Sequence, residues 1–268
     1  MPRVDAHPHG HFGWYDLFSK DLEASKAFYA GLFGWSAEDQ PTEAEGSEPY
    51  TMFTLAGDHV AGGGQMNAEM LAGGAPPSWN AYVCVDALEP VLERVTARGG
   101  KVLFGPIDVF EHGRLAYFAD PEGAMVALWQ AKGHGGSRRA DEAGTVCWTE
   151  LASRDMHAAA DFYGSVFGWT NTENPYAPGP GYRVLRSGDT EVGGILQMTD
   201  EWGELPAHWA LYFEVDDVDR SAEQVRTLGG AVKHGPFDTP VGRIAVCTDD
   251  GGAFFYLMQP ADAMKENR

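Results

Sequence analysis

"SKDLEASKAFYAGLFGW" (19–35) decides the fold, because the chain writes it a second time as "SRDMHAAADFYGSVFGW" (153–169). Trp14, Asp21, Phe28, Tyr29, Phe33, Gly34 and Trp35 return as Trp148, Asp155, Phe162, Tyr163, Phe167, Gly168 and Trp169, each pair 134 positions apart. Working outward, "VAGGGQM" (60–66) answers "VGGILQM" (192–198), "WNAYVCVD" (79–86) answers "WALYFEVD" (209–216), and "GRLAYFAD" (113–120) answers "GRIAVCTD" (242–249). Two copies of about 120 residues are too few for a solenoid and read as duplicated modules. The glycine-rich, charged stretch "AKGHGGSRRADEAG" (131–144) has no periodicity and reads as a linker. The expected division is residues 1–131, a linker over 132–144, and residues 145–268.

Within one copy the elements follow a fixed order. "FGWYDLFS" alternates and is aromatic, so it reads as a strand. Asp21 reads as an N-cap, and "LEASKAFYAGLF" has helical spacing. "YTMFTLAG" and "VAGGGQM" read as strands. The order then restarts: strand "WNAYVCV", helix "LEPVLERVTARGG" closed by glycine, and strands "KVLFGP", "RLAYFAD" and "AMVALWQ". Each module is thus βαβββ written twice, an α+β pattern. The polar stretches "EDQPTEAEGSEP" and "ENPYAPGPG" read as loops.

Composition narrows the partners. The chain of 268 residues is 44% hydrophobic and 22% charged, with net charge −20. An anionic field repels phosphate backbones and acidic lipid, so neither nucleic acid nor membrane is an expected partner. No apolar run nears the ~18 residues that span a bilayer. The opening residues contain no apolar signal region. Three scattered cysteines, Cys84, Cys147 and Cys247, form no framework. Both features fit a cytoplasmic protein with buried thiols.

The repeated helix phrase, together with "DPEGAMVALWQ" (120–130) and "DDGGAFFYLMQ" (249–259), resembles the vicinal oxygen chelate superfamily of glyoxalases, bleomycin-resistance proteins and extradiol dioxygenases. The resemblance spans about 14–131 and 148–260. It implies that each module is a pair of βαβββ units curled into an open eight-stranded half-barrel, a cup. It also implies a divalent metal held by His and Glu at three positions per cup. Those positions are Trp14, Asn80 and Ala127 in the first copy and Trp148, Ala210 and Tyr256 in the second. None is His, Asp or Glu, so the expectation is no metal and no other cofactor.

Strand alternation puts further residues on the same faces. Asp16 accompanies Trp14, and Glu150 accompanies Trp148. Tyr82, Trp129, Tyr212 and Met258 join them. Apolar walls with few polar groups are the usual makeup of a small-molecule pocket. Asp16 and Glu150 are the candidate catalytic groups, since a carboxylate among aromatics has a raised pKa. Trp14, Trp148, Asn80, Tyr82, Tyr212, Trp129, Tyr256, Met258, Arg114 and Arg243 are the candidate ligand-binding residues. The competing reading pairs the two carboxylates structurally with Arg114 and Arg243. The histidines of "HPHGH" (7–11) read as a solvated tail rather than a metal site.

Two functions compete at this stage. One is a metal-free lyase or isomerase acting on a hydrophobic or aromatic carbonyl or quinone. The other is a protein that sequesters such a small organic ligand without catalysis. A metal-dependent lyase or dioxygenase fits less well. Four units in one chain are compatible with a monomer as well as a homodimer.

Overall fold

The computed structural model describes residues 4–40, 49–176 and 181–265. The first module contains β1 (His11–Ser19), α1 (Leu22–Phe33), β2 (Ser36–Gln40), β3 (Tyr50–Leu55), β4 (Asp58–Gln65), α2 (Ala68–Ala72), β5 (Ser78–Cys84), α3 (Leu88–Ala97), β6 (Lys101–Val109), β7 (Gly113–Ala119) and β8 (Met125–Ala131). The second contains β9 (Val146–Ser153), α4 (Met156–Phe167), β10 (Thr170–Glu173), β11 (Tyr182–Ser187), β12 (Thr190–Gln197), β13 (His208–Glu214), α5 (Val218–Thr227), β14 (Ala231–Thr239), β15 (Gly242–Thr248), β16 (Phe254–Pro260) and the short α6 (Asp262–Lys265). Each module forms one open eight-stranded sheet, in the orders β2-β3-β4-β1-β5-β8-β7-β6 and β10-β11-β12-β9-β13-β16-β15-β14. The two βαβββ units of a module meet at the antiparallel β1–β5 or β9–β13 pair.

The helix phrase folds for local reasons. Asp21 and Asp155 accept hydrogen bonds from the amides of Ala24 and Ala158, satisfying otherwise unpaired helix N–H groups. Gly34 and Gly168 close the helices in the left-handed conformation, at φ 71° and 77°. Two edge strands, β2 and β10, follow directly on the "FGW" phrases, as the βαβββ order requires, and run into the start of the stretches read as loops. Both are fully exposed and polar, so alternation carries no signal there; pairing with β3 and β11 makes them. Their loops, read over "EDQPTEAEGSEP" and "ENPYAPGPG", fall partly outside the described residues, at 41–48 and 177–180.

The aromatic phrase proves to be a reciprocal clasp. The Tyr29 hydroxyl donates to Asp249 Oδ2 (3.0 Å) in the opposite module, and Tyr163 donates to Asp120 Oδ2 (3.0 Å). Trp79 and Trp209 each donate an indole N–H to the tyrosine of their own module. Trp169 donates to the Gly10 carbonyl, again crossing between modules, and Trp35 donates to the Gly144 carbonyl at the end of the joining segment. Phe33 stacks on Phe213 at 5.1 Å. Each "FYxxxFGW" therefore grips the partner module's aspartate-glycine turn, and a single apolar core runs through both halves. This face of each sheet is consumed by the junction, leaving the concave face for a ligand.

The segment over 132–139 departs from a solvated linker. It lies against the first module through Ser137 N–H to the Gly13 carbonyl (2.7 Å) and Arg138 N–H to the His59 carbonyl (2.8 Å). The N-terminal histidines are likewise not a loose tail. The His7 ring bonds the Ser137 carbonyl, and His9 Nδ1 accepts from the Asp86 amide. The sequence concealed both contacts because each partner is distant along the chain.

Candidate functional site

The concave faces carry two aromatic clusters that mirror each other. In the first cup Trp14, Met52, Tyr82, Cys84, Tyr117, Ala127 and Trp129 pack together. In the second, Ala210, Tyr212, Ile244 and Met258 are joined by Trp148, Phe237 and Tyr256. Strand pairing sets Tyr82 between Trp14 and Ala127, and Tyr212 between Trp148 and Tyr256. The Tyr212 and Tyr256 rings lie 4.5 Å apart. Met125 and Phe254, at the starts of their strands, are exposed.

One carboxylate sits in each cluster. Asp16 Oδ2 accepts from the Tyr82 hydroxyl (2.6 Å) and the Tyr50 hydroxyl (3.3 Å), and Oδ1 accepts from Asn80 Nδ2 (3.0 Å). Glu150 Oε1 accepts from the Tyr212 hydroxyl (2.7 Å), and Tyr182 also donates to Glu150. Trp14 and Trp148 donate their indole N–H groups to Tyr50 and Tyr182. The arginine-pairing reading is thereby corrected. Arg114 lies on Glu89, with Asp108 nearby, and Arg243 lies on Asp219 and Asp238, towards the helices α3 and α5. Single-residue alternation explains it: Arg114 shares a strand face with Ala116 and Phe118 of the core, not with Tyr117 of the cup.

Tyr50 and Tyr182 were not among the residues singled out from sequence. Both open the third strand of their module, and this repetition was the available signal. The glycines of "VAGGGQM" and "VGGILQM" now have a reason. Gly62 pairs with Asp16 and Gly194 with Glu150, and a Cβ on either would strike the Tyr50 or Tyr182 hydroxyl. Gly194→Ala is expected to displace Tyr182 and cost about 1–3 kcal/mol, as overpacking does, measured by denaturant unfolding.

Burial raises both carboxyls, opposed in part by the phenolic donors; Asp16 reaches about 6. A carboxyl with a raised folded pKa holds its proton more tightly when folded. Its contribution to stability is complete below 3.8 and is lost as pH rises through about 6. The difference is worth on the order of 3 kcal/mol for so buried a group. Asp16→Asn is expected to remove this loss, so that the gap between wild-type and variant unfolding free energies changes across pH 4–7. Parallel profiles would show that Asp16 does not titrate there.

The cups differ in their surroundings. A cavity of about 320 Å³ occupies the second, lined by Trp148, Glu150, Tyr182, Tyr212, Phe237 and Met258 among others. Over the first, the His134 ring sits edge-on against Trp14 (4.5 Å) and near Trp129, whose indole donates to the His134 carbonyl. Asn80, a third donor to Asp16, is replaced by Ala210 beside Glu150. The second carboxylate therefore carries fewer protein hydrogen bonds and faces an open space.

The sequence profile of the Glyoxalase/Bleomycin resistance protein/Dioxygenase superfamily matches residues 11–128 and 145–256. The chain belongs to this superfamily. CFP32 of Mycobacterium tuberculosis, whose name assigns it provisionally as a glyoxylase, is 40% identical over 265 residues, covering 97% of this chain and 99% of the relative. The anthracycline biosynthesis protein DnrV of Streptomyces peucetius is 34% identical over 256 residues, 92% of each chain. Among solved structures, the Mn(II)-bound glyoxalase from Novosphingobium aromaticivorans superposes with TM-score 0.63 at 18% identity, covering 94% of this chain and 82% of that one. The 2,3-dioxygenase LapB from Pseudomonas sp. KL28 gives 0.64 at 15%, covering 94% and 92%. At such identity the likeness establishes the fold alone.

The divalent metal implied by the superfamily does not fit the residues present. Indole and methyl groups offer no hard donor, and burial pushes the Tyr256 hydroxyl up, keeping it protonated. Among the described residues no three His, Cys, Asp or Glu side chains converge as a metal site. Among them also, no helix is long and apolar enough to cross a membrane. Burial pushes the Cys84 and Cys247 thiols to about 12, so neither is a ready nucleophile.

Proposed function

We propose that this chain is a metal-independent, glyoxalase-like enzyme of the lyase or isomerase type, acting in its second cup on a flat aromatic carbonyl or quinone. One observation carries the reading: Glu150 is a buried carboxyl on the wall of an aromatic cavity, held by phenols and not by a cation. Trp148 and Tyr212 supply the walls that stack on a planar ring. A carboxylate with a raised pKa removes a proton from carbon beside a carbonyl more readily than an ordinary one. The carboxylic acid so formed returns that proton to a neighbouring atom, and the sum is an isomerisation or the start of an elimination. Tyr182 and Tyr212 keep donating throughout, because their own pKa values are pushed far above 10. The kinship with an anthracycline biosynthesis protein supports a planar polyketide quinone as the substrate class.

The test is a thermal-shift and turnover screen of hydroxyanthraquinones, aromatic polyketides and 2-oxoaldehydes on chelator-treated protein, with metal analysis alongside. Stabilisation and turnover at sub-stoichiometric metal are expected for a planar compound that carries a saturated C–H carbon beside its carbonyl, and binding alone for the hydroxyanthraquinones, which have no such carbon. Turnover that returns only with one equivalent of a divalent ion would overturn the proposal. Binding without turnover would make the protein a sequestering one.

A further inference from the structure

A base that takes a proton from carbon needs a partner. As the C–H bond breaks, its electron pair moves towards the carbonyl and negative charge gathers on the carbonyl oxygen, where a hydrogen-bond donor stabilises it. The donors on the second cup can be accounted for one by one. Tyr182 and Tyr212 both donate to Glu150. The Trp148 indole donates to Tyr182, and the Cys147 thiol to the Tyr212 carbonyl (3.4 Å). Tyr176 donates to Glu191, and the Thr239 hydroxyl to the Gly242 carbonyl (2.7 Å). Asn174 lines the same cavity as Glu150 and is the exception. Its Oδ1 accepts from the Tyr176 amide (2.9 Å), while among the described residues its Nδ2 has no acceptor. Resting on the reading of the second cup given above, we propose that Asn174 is its second catalytic residue, donating from Nδ2 to the substrate's carbonyl oxygen while Glu150 takes the proton from the neighbouring carbon.

The amide is held ready by local structure. A side-chain oxygen that accepts from the amide two residues on is the turn that asparagine favours. The Tyr176 bond settles which end of the carboxamide is oxygen, so the N–H pair is the end left for a guest. Asn174 is only partly buried, so an unused amide costs little there. The step balances without a co-reactant: the proton goes to Glu150, the C–H pair becomes the double bond of an enol, and Glu150 later returns the proton.

The first cup has no counterpart. Gln40, at the position 134 residues earlier, is the last residue of β2, exposed and paired with Tyr50. In the second module β10 ends one residue sooner, at Glu173, and Pro175 follows Asn174. Proline lacks the amide a continuing strand would use, so the chain turns there and Asn174 is released from the edge.

The experiment uses the full chain and 1-tetralone, a flat ketone with a saturated C–H carbon beside its carbonyl. Exchange of those hydrogens for deuterium in heavy water, followed by NMR, reads proton removal. Raman difference spectra of the bound ketone read the hydrogen bond on its oxygen, whether or not exchange occurs. Asn174→Asp keeps an oxygen for the Tyr176 amide but has no N–H; Asn174→Ala keeps neither. Thermal unfolding checks that both are folded. Both should slow exchange by about 10²–10³-fold, the cost of one lost oxyanion donor, and raise the carbonyl stretch above its wild-type frequency. Glu150→Gln should abolish exchange and leave the stretch where it was. Loss in Asn174→Ala alone would make Asn174 a turn residue, and loss in Asn174→Asp alone would be the work of the added charge; either result, or an unchanged stretch in both variants, overturns the assignment and spares Glu150. If wild type does not exchange the probe, or Glu150→Gln exchanges it as fast, the reading of the second cup falls, and Asn174 with it.

Discussion

Glu150→Gln is expected to lower kcat on the true substrate by about 10²–10⁴-fold, the range of a lost general base, while ligand affinity stays within a few-fold. Glutamine keeps the length and one carbonyl oxygen, so the Tyr212 hydroxyl still has an acceptor. What it cannot do is take a proton from carbon. Asp16→Asn supplies the contrast. Asp16 is enclosed by Tyr50, Tyr82 and Asn80, so its loss should change stability and its pH dependence but leave kcat within a few-fold. The pair separates the two cups without any further assumption. Equal loss of turnover in both variants would mean that the first cup also works. Loss of turnover in Asp16→Asn alone would place the reaction there and contradict the proposal.

The contrast between cups shows what a single sequence can and cannot disclose. Strand alternation placed Asp16 and Tyr82 on one face, and Glu150 and Tyr212 on the equivalent one, because the side-chain period of a strand survives any tertiary arrangement. The same rule, applied to "GRLAYFAD", would have turned Arg114 away from Tyr117; resemblance between the twin "GR" phrases drew attention to the arginines instead. Helix α1 has the bounds its pattern suggested, since both caps are local. The clasp was illegible for the opposite reason. Tyr29 and Asp249 are 220 positions apart, and nothing in either phrase names the other. His134 was hidden by its surroundings: glycine-rich composition signals freedom from regular structure, not freedom from contact.

Phe213→Ala is expected to destabilise the whole chain by about 3–5 kcal/mol, the cost of emptying a core aromatic site. Phe213 is fully buried and touches rings from both modules: Phe33, Trp35 and Trp79 on one side, Phe255 on the other. Were the modules independent beads, such a change would melt the second and spare the first, giving two transitions. The structure argues otherwise. The apolar core is continuous across the junction, and each module's aspartate-glycine turn depends on a tyrosine from its partner. Removing one module would leave Tyr29 or Tyr163, both buried, without its carboxylate acceptor and would expose the aromatic face around it. Urea unfolding followed by fluorescence and by circular dichroism should therefore stay coincident in Phe213→Ala, with the midpoint lowered and the slope unchanged. Separate transitions by the two probes would show that the halves fold alone. The aromatic phrase would then be only a helix ending in each copy, with no part in joining them.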